Sequence, residues 1–491
     1  MADNRPFWRI AAPLAAPLGG LLAGLSLPPL GWPPLLWLAL MPLWALGPRA
    51  ALLWGGAAVL ISHRWLLWLH PLDWVGVPLP LSLPLCFTLL LAIALLGALL
   101  VGSWRWLVRR LGPERLGTAL LASALWGLAE VLLAKGPLFW IGLGSAALPG
   151  DRALAGLAQL VGAGGLAALQ LLLAWGLWRL LMALRCRRRP WRPALLWLVL
   201  VLLLHGLGWQ RLVAAAQPDP QARALPLLVL QPAIPTRRKF DGDQQRLLLQ
   251  RLVRALDQAE RGGRSLLLLL PEGALSLGQD LPRPAAVEVL SGGFRLENEQ
   301  LRSALLAFPP GALEPAAALD KHRLVPLGEW IPGADLFRWA GLSAVGGVSP
   351  GAASRLFQRP DDPVAVAICY ELADGQALSA ASRAGAGWLL ASANLDPYPV
   401  QLQRQFAALA QLRAIESGRW LVSSANTGPS LVVDAAGAVR AALPPGRAGT
   451  LEAVLQRRHA VTAYARWGEL PLALLAASGI AVSLRSWLRQ A

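Results

Sequence analysis

The sequence predicts an α-helical membrane bundle of about eight spans together with one exported α/β domain. Three observations indicate this fold class. The chain of 491 residues is 55% hydrophobic and has a mean hydropathy of +0.49, which is too apolar for a purely soluble protein. Many of its apolar residues lie in segments long enough to cross a bilayer. One long stretch instead alternates strand-like and helix-like patterns, which is typical of a layered α/β domain.

Eight apolar segments account for the predicted bundle. They lie at about 7–27, 33–47, 51–70, 79–104, 116–134, 153–184, 193–213 and 469–488. The second segment is short for a single crossing and the sixth is long. Because the number of spans is even, both termini are expected on the same side of the membrane.

Arginine is concentrated at the termini and in alternate loops between these segments. The arginines concerned are Arg5, Arg9, Arg49, Arg105, Arg109, Arg110, Arg115, Arg185, Arg187, Arg188, Arg189, Arg192, Arg485 and Arg489. The intervening loops are nearly free of charge, so the positive-inside rule places both termini in the cytoplasm and exports the stretch between the seventh and eighth segments. This pattern explains much of the net charge of +17, and we predict no nucleic-acid partner.

The predicted domain organisation follows from this topology. Residues 1–215 form an N-terminal transmembrane bundle of seven helices, 216–466 form the exported domain, and 467–491 form the final transmembrane helix and a cytoplasmic tail. A stretch with the composition of a linker, residues 214–224, leads into the exported domain.

Short apolar runs alternate with helical patterns within the exported domain. The sequence predicts strands at 225–231, 265–270, 287–294, 301–308, 363–368, 388–392, 420–424 and 430–433, and helices at 244–261, 375–384 and 401–416. Alternation of this kind predicts an α/β layered domain of roughly 250 residues.

Lysine is rare in this chain. Of 45 basic residues only Lys135, Lys239 and Lys321 are lysines. Lysine can give up its proton in a protein, whereas arginine cannot. A lysine retained against this bias therefore indicates chemistry rather than solubility, although Lys321 taken alone is also consistent with a surface pair with Asp320.

Glu272 and Cys369 each follow a predicted buried strand, where catalytic groups tend to lie in layered α/β domains. A thiol is a poor nucleophile until a base or a positive field helps to remove its proton. Glu272 can accept that proton, while Lys321 can lower the pKa of the thiol and then stabilise an oxyanion. Taken singly, Cys369 reads as a core thiol and Glu272 as a loop residue. Taken together in one domain, the three residues favour catalysis of acyl transfer.

The motifs around these residues resemble known families. Glu272, the Lys-x-x-Leu-Val-Pro-x-Gly-Glu sequence from Lys321 to Glu329 and the Cys-Tyr-Glu sequence at 369–371 are similar to the Glu-Lys-Cys triad of the nitrilase superfamily. The membrane segments before and after, and the sequence at 461–469, resemble the apolipoprotein N-acyltransferase family. The resemblance covers essentially the whole chain. It implies a nitrilase-like αββα sandwich for the exported catalytic domain.

The resemblance also implies roles for the site residues. Glu272 would be the general base, and Cys369 the nucleophile that forms a thioester with a fatty acyl chain. Lys321 would stabilise the oxyanion. The amine of a diacylglyceryl-modified cysteine would then attack the thioester, which is ping-pong chemistry.

Three further residues are implied as supporting the site. Glu329 would be a carboxylate close to Lys321. Tyr370 and Glu371 would shape the pocket; the alternatives are that Tyr370 only packs and that Glu371 pairs with an arginine.

Substrate contacts are where this chain departs from the family pattern. Phe240 stands where the family has a tryptophan, and the loop at 392–398 differs from the family's sequence. We take Phe240, Asn394 and Tyr398 as the candidate substrate-binding residues. An aromatic side chain at 240 keeps a stacking surface but loses the indole N–H group.

The resemblance implies a phospholipid acyl donor and a diacylglyceryl apolipoprotein acceptor, without a cofactor or a metal. It implies a monomer in the bacterial inner membrane with its catalytic domain on the periplasmic side. Two other functions stay open at the level of sequence. One is a membrane-tethered amidase of the nitrilase type that hydrolyses small amides; the other is a non-catalytic module that binds lipoproteins.

Overall fold

The computed structural model describes residues 5–73, 77–186, 191–217, 222–262, 266–326, 328–330, 347–396 and 398–488. Some positions used in the sequence analysis lie outside these residues, namely Arg187, Arg188, Arg189, Leu327 and Arg489.

The N-terminal part of the described chain is helical. Its helices are α1 (Arg5–Ser26), α2 (Pro33–Leu40), α3 (Pro48–Ser62), α4 (Leu79–Leu111), α5 (Leu116–Ala134), α6 (Arg152–Ala155), α7 (Ala158–Arg185) and α8 (Trp191–Ala216). Four of them, α4, α5, α7 and α8, are long and apolar enough to cross a membrane, and shorter apolar helices lie at Leu14–Ser26, Pro33–Trp44, Pro48–Ser62 and Leu470–Arg485. These helices support a membrane protein. The count of eight spans stays a prediction.

The third predicted segment, 51–70, is not one helix. The α-helical part ends at Ser62, and a 3-10 helix continues from Arg64 to Leu69. This places Trp65 and Leu66 in the core rather than on the outer surface of the bundle.

Helix α7 is broken near its start. Gly162 has a φ of 66°, which only glycine adopts readily, and a Cβ atom there would lie 2.2 Å from Cε2 of Tyr464. The next amide, that of Ala163, donates to Oε1 of Glu416 at 2.7 Å. A carboxylate of the α/β domain thus satisfies a backbone group that the break leaves without a helical partner.

The α/β domain contains two six-stranded sheets. The strands are β1 (Arg223–Gln231), β2 (Leu267–Leu270), β3 (Glu288–Glu297), β4 (Gln300–Phe308), β5 (Ala317–Asp320), β6 (Leu356–Phe357), β7 (Val364–Ile368), β8 (Trp388–Ala393), β9 (Leu421–Ala425), β10 (Leu431–Val433), β11 (Val439–Ala442) and β12 (Gly449–Arg457). Their orders are β12-β1-β2-β3-β4-β5 and β11-β10-β9-β8-β7-β6. In each sheet three neighbouring strands run parallel, β1 to β3 and β7 to β9.

Five helices complete the described chain. They are α9 (Gly242–Arg261), α10 (Gly375–Arg383), α11 (Val400–Ser417), α12 (Ala463–Trp467) and α13 (Leu470–Leu488). Helix α9 packs on β1 and β2, while α10 and α11 pack on the second sheet.

Alternation along β1 shows how the layers form. Leu227 and Val229 belong to the core shared with the second sheet, whereas Leu228 and Leu230 pack in the core beneath α9. Successive side chains of a strand point to opposite faces, so a strand buried on both faces is apolar throughout. The two sheets therefore lie face to face with helices outside them, and the predicted αββα sandwich is confirmed.

Candidate active site

Glu272 lies immediately beyond the end of β2. Its Oε1 accepts a hydrogen bond from Nζ of Lys321 at 2.7 Å, and its Oε2 accepts one from the backbone N–H of Asn394 at 2.8 Å. Strand β3 passes very close to its backbone, because a Cβ atom at Gly292 would lie 2.4 Å from Cα of Glu272. Both carboxylate oxygens of Glu272 therefore accept hydrogen bonds, and its backbone is packed against β3.

Lys321 follows β5 and is only 1% exposed. Its Nζ also donates to Oε1 of Glu329 at 2.8 Å, so one ammonium lies between two carboxylates. Burial alone would lower the pKa of Lys321, but the charges of Glu272 and Glu329 outweigh it and raise the pKa well above its usual value. The two carboxylates therefore favour the charged form of Lys321. We call Glu272, Lys321 and Glu329 the lysine cluster.

Cys369 begins a 3-10 turn, Cys369–Ala373, directly after β7. Its φ of 53° is uncommon for a residue with a side chain, and such backbone strain is concentrated at functional sites. Burial and then the charge of Glu272 raise the pKa of this thiol well above its usual value, while Lys321 acts in the opposite direction. The sequence-based expectation that Lys321 lowers the thiol pKa is thus right in sign, but burial dominates. The resting thiol keeps its proton.

Glu371 ties together the two segments that carry Lys321 and Cys369. Its Oε2 accepts from the backbone N–H of Ile368 at 2.8 Å, and its Oε1 accepts from the backbone N–H of His322 at 2.7 Å. Nη1 of Arg355 donates to both carboxylate oxygens, at 3.0 and 2.9 Å. The structure therefore contains the arginine pair considered as an alternative, and the pair also fixes the backbone next to the thiol.

An aromatic cluster lies against the turn of Cys369. The hydroxyls of Tyr370 and Tyr398 are 2.9 Å apart. The ring of Trp65 lies 5.4 Å from that of Tyr398, and the ring of Phe139 lies 5.2 Å from that of Tyr370 and stacks on Phe406 at 4.6 Å. Trp65 and Phe139 come from the helical part of the chain. The floor of the site is therefore built jointly by both parts.

The other two candidate substrate-binding residues lie in different surroundings. The side chain of Asn394 is engaged by Thr236 and Asn426, each at 3.0 Å, so its contact with Glu272 is made by its backbone. The side chain of Phe240 is 73% exposed and takes no part in the aromatic contacts that the described rings make. Of the three candidates, Tyr398 is the one in the aromatic cluster.

A further buried ion pair lies at the far end of the same turn. Nε of Arg413 lies 3.1 Å from Oε2 of Glu416, and both residues are on α11. Nη1 of Arg413 donates to the carbonyl of Ala373, the last residue of the turn, at 3.2 Å. We call Arg413 and Glu416 the arginine cluster. It joins the turn of Cys369 to the broken membrane helix at Ala163.

Comparison with known proteins agrees with this architecture. Residues 19–176 match the family described as apolipoprotein N-acyltransferase N-terminal domain, and residues 213–465 match carbon-nitrogen hydrolase. A protein of Prochlorococcus marinus (strain MIT 9313) named apolipoprotein N-acyltransferase is 51% identical over 488 residues, which cover 96% of this chain and 96% of that protein. The chain belongs to the apolipoprotein N-acyltransferase family.

Further relatives extend over similar lengths. An apolipoprotein N-acyltransferase of Parasynechococcus marenigrum (strain WH8102) is 48% identical over 460 residues, covering 92% of this chain and 96% of that protein. Among solved structures, Saccharomyces cerevisiae Nit3, a member of branch 10 of the nitrilase superfamily, is 16% identical with a TM-score of 0.36 and covers 48% of this chain and 90% of its own.

Several residues around Cys369 could not be recognised from the sequence. Trp65, Phe139 and Phe406 carry no local signal, since their only distinction is aromatic character in a chain with 23 tryptophans. Arg355 was equally hidden among the many arginines. Across the residues that the structure describes, no group of three or more His, Cys, Asp or Glu side chains is placed to hold a metal ion.

Proposed function

We propose that this protein transfers a fatty acyl chain from a phospholipid, through a thioester on Cys369, to the N-terminal amine of the diacylglyceryl-cysteine of an apolipoprotein. Membership of the apolipoprotein N-acyltransferase family supports the reaction. The observation that carries the residue assignment is the buried ammonium of Lys321, which two carboxylates share and which interacts electrostatically with Cys369, a residue with positive φ.

In the first half-reaction the thiol must lose its proton as it attacks. Because burial raises the pKa of Cys369, little thiolate exists beforehand, and Glu272 accepts the proton while Sγ bonds to the ester carbonyl carbon. Lys321 stabilises the oxyanion that develops on the carbonyl oxygen. The ester C–O bond then breaks, and Glu272 returns the proton to the departing alkoxide of the lysophospholipid.

In the second half-reaction the acceptor amine attacks the thioester carbonyl. Glu272, again a carboxylate, removes a proton from the nitrogen, and Lys321 stabilises the second oxyanion. The C–S bond breaks, the amide forms, and the sulfur recovers a proton. Glu329 holds the ammonium from its other side, while Tyr370 and Glu371 keep the turn of Cys369 in position.

The topology of the enzyme is part of the same proposal. Eight spans with both termini in the cytoplasm place the catalytic domain on the periplasmic side of the bacterial inner membrane, as arginine distribution favours. The division into residues 1–215, 216–466 and 467–491 is kept, and the enzyme acts as a monomer without a cofactor or a metal.

The structure favours this function over hydrolysis of small amides. The rings of Trp65 and Phe139 from the helical part contact Tyr370 in the turn of Cys369, which supports delivery of a lipid chain to this turn from the helical part. A groove of about 650 Å³, lined by Lys135, Arg323 and Glu371 among others, also runs between the two parts. It lies beside the turn of Cys369 rather than at the triad, since Glu272, Lys321 and Cys369 do not line it. A groove of this size has room for part of an amphiphilic donor or a lipidated acceptor.

Purified protein incubated with phospholipid tests the proposal. Intact mass spectrometry should show one fatty acyl adduct, located on Cys369 after digestion, and a diacylglyceryl peptide should then discharge it. Cys369→Ser should form no thioester. Release of ammonia from small amides without acyl transfer would support the amidase instead, and complementation of a null strain by Cys369→Ser would support a binding module.

A further inference from the structure

Lys239 is a second lysine beside the proposed base. It follows the 3-10 helix Thr236–Arg238, and its Nζ donates to the carbonyl of Gly273, the residue after Glu272. Nζ also lies 6.0 Å from the centroid of the Phe294 ring. Lys239 is half-buried, so its side chain extends from the solvent edge of the domain to the back of the Glu272 main chain.

A small cavity is lined by both Lys239 and Glu272. Its volume is about 10 Å³, near the lower limit for holding one water molecule. Asn394 and Asn426 also line it, but the side-chain amide of Asn426 is engaged by Asn394 and by the backbone of Ile234. Among the residues that line the cavity, the titratable groups are the ammonium and the carboxylate.

The other charged groups near Lys239 have partners of their own, so Lys239 and Glu272 interact mainly with each other. Burial lowers the pKa of Lys239, and the charge of Glu272 acts in the opposite direction. The two preceding arginines are engaged elsewhere: Arg237 donates to the carbonyls of Leu69 and Pro71, and Arg238 pairs with two carboxylates of its own segment. Glu272 is therefore the carboxylate to which Lys239 is electrostatically coupled.

The proton balance of the two half-reactions differs. Thioester formation moves the thiol proton to Glu272 and then to the leaving alkoxide, so no net proton is released. The acceptor amine begins as an ammonium at neutral pH, since an α-amino group has a pKa of about 7.7–8.0. It must lose one proton before it can attack and a second as the amide forms, and only the second is taken up by the departing sulfur. One proton must therefore leave the site in every aminolysis.

We propose that Lys239 conducts this proton from Glu272 to solvent through a water molecule in the small cavity. The inference rests on the proposed acyl transfer. The ammonium of Lys239 first releases a proton to bulk solvent and becomes an amine. This amine then takes a proton from the water while the water takes the substrate's proton from Glu272, so each group returns to its starting state. An arginine cannot take part because it does not release its proton. This explains a lysine at this position in a chain whose basic residues are mostly arginine.

The test measures the two half-reactions separately in full-length Lys239→Met and Lys239→Arg protein. Thioester formation with phospholipid should stay within about twofold of the parent protein. Discharge to a diacylglyceryl peptide at pH 7 should slow by on the order of 10- to 100-fold in both variants. Raising the pH to about 9, where the amine is already neutral, should restore most of the discharge rate.

Arg246→Met is the matched control, because it removes an exposed cation of the same domain that lines neither the groove nor the small cavity, and it should leave both rates unchanged. An equal slowing of both half-reactions by Lys239→Met would show that Lys239 only positions Glu272. Unchanged discharge at pH 7 would also overturn the inference. Absence of any thioester in the parent protein would instead refute the proposed function, so the two failures are distinguishable.

Discussion

Two buried charge clusters lie at opposite ends of the turn that carries Cys369, and they use different cations. The lysine cluster places one ammonium between Glu272 and Glu329. The arginine cluster pairs the guanidinium of Arg413 with Glu416; the guanidinium also donates to a backbone carbonyl, and the carboxylate also accepts from a backbone amide. A guanidinium is a rigid, permanently charged fork, whereas an ammonium is a compact point charge. The comparison indicates that arginine fixes the backbone here and that lysine serves the reacting atoms.

Replacing the lysine of the lysine cluster by arginine should give the largest loss of activity. Lys321→Arg keeps the positive charge but replaces a point charge by a planar fork, so the oxyanion loses its partner. We expect thioester formation to fall by on the order of 100- to 1000-fold. The rate of acyl adduct formation, followed by intact mass, measures this change.

The reverse exchange is the matched control. Arg413→Lys should lower the melting temperature but change the rate of thioester formation by less than about tenfold, because the arginine cluster does not face the reacting atoms. A larger loss of rate in Arg413→Lys than in Lys321→Arg would contradict the division of roles.

Removing the carboxylate of the arginine cluster should damage the fold. Glu416 is 0% exposed, and Glu416→Ala leaves Arg413 buried without its ion-pair partner. We expect the free energy of unfolding to fall by about 3–5 kcal/mol. Denaturation in detergent measures it, with Arg238→Ala at an exposed pair as the control that should melt with the parent protein.

The arginine cluster should also make stability depend on pH. Burial raises the pKa of Glu416 from 4.5 to about 7, against the effect of Arg413. Between these values the unfolded chain releases the proton that the folded chain retains. The contribution of the Glu416 carboxyl to the free energy of unfolding is therefore full below pH 4.5 and is lost as the pH rises towards 7. Relative to Glu416→Gln, the parent protein should lose on the order of 3 kcal/mol over this range. Parallel curves for the two proteins would contradict the assignment.

A neutral contact beside the thiol should give the smallest effect. Tyr398→Phe removes the hydroxyl that lies 2.9 Å from that of Tyr370. We expect a loss of about 1 kcal/mol in the free energy of unfolding, as for one uncharged hydrogen bond, and a modest slowing of thioester formation. An effect as large as that of Glu416→Ala would show that the aromatic cluster is tied to the charged groups.

The sequence was most informative where residue type and strand ends coincide. Glu272 and Cys369 could be identified because each follows a fully buried apolar strand, and Lys321 because lysine is rare. The sheets follow from the same apolar runs. Their central strands are buried on both faces, and that gives a continuous pattern.

Edges and long-range contacts could not be predicted in the same way. Strand β12 is half-exposed, and its longest apolar run is only the three residues 453–455, too short to indicate a buried strand. Arg355 reaches Glu371 across 16 positions and Trp65 reaches Tyr398 from the helical part. Contacts of this kind depend on how the chain closes in space, which no local period encodes.

The break at Gly162 has a consequence for how the protein is made. The amide of Ala163 finds its acceptor 253 positions later in the chain, on Glu416. The ribosome must therefore synthesise most of the α/β domain before the amide of Ala163 can bond to Glu416. A buried amide without an acceptor is costly, so the N-terminal helices form first as an unfinished assembly that the later domain completes. Neither half expressed alone should mature into a stable protein.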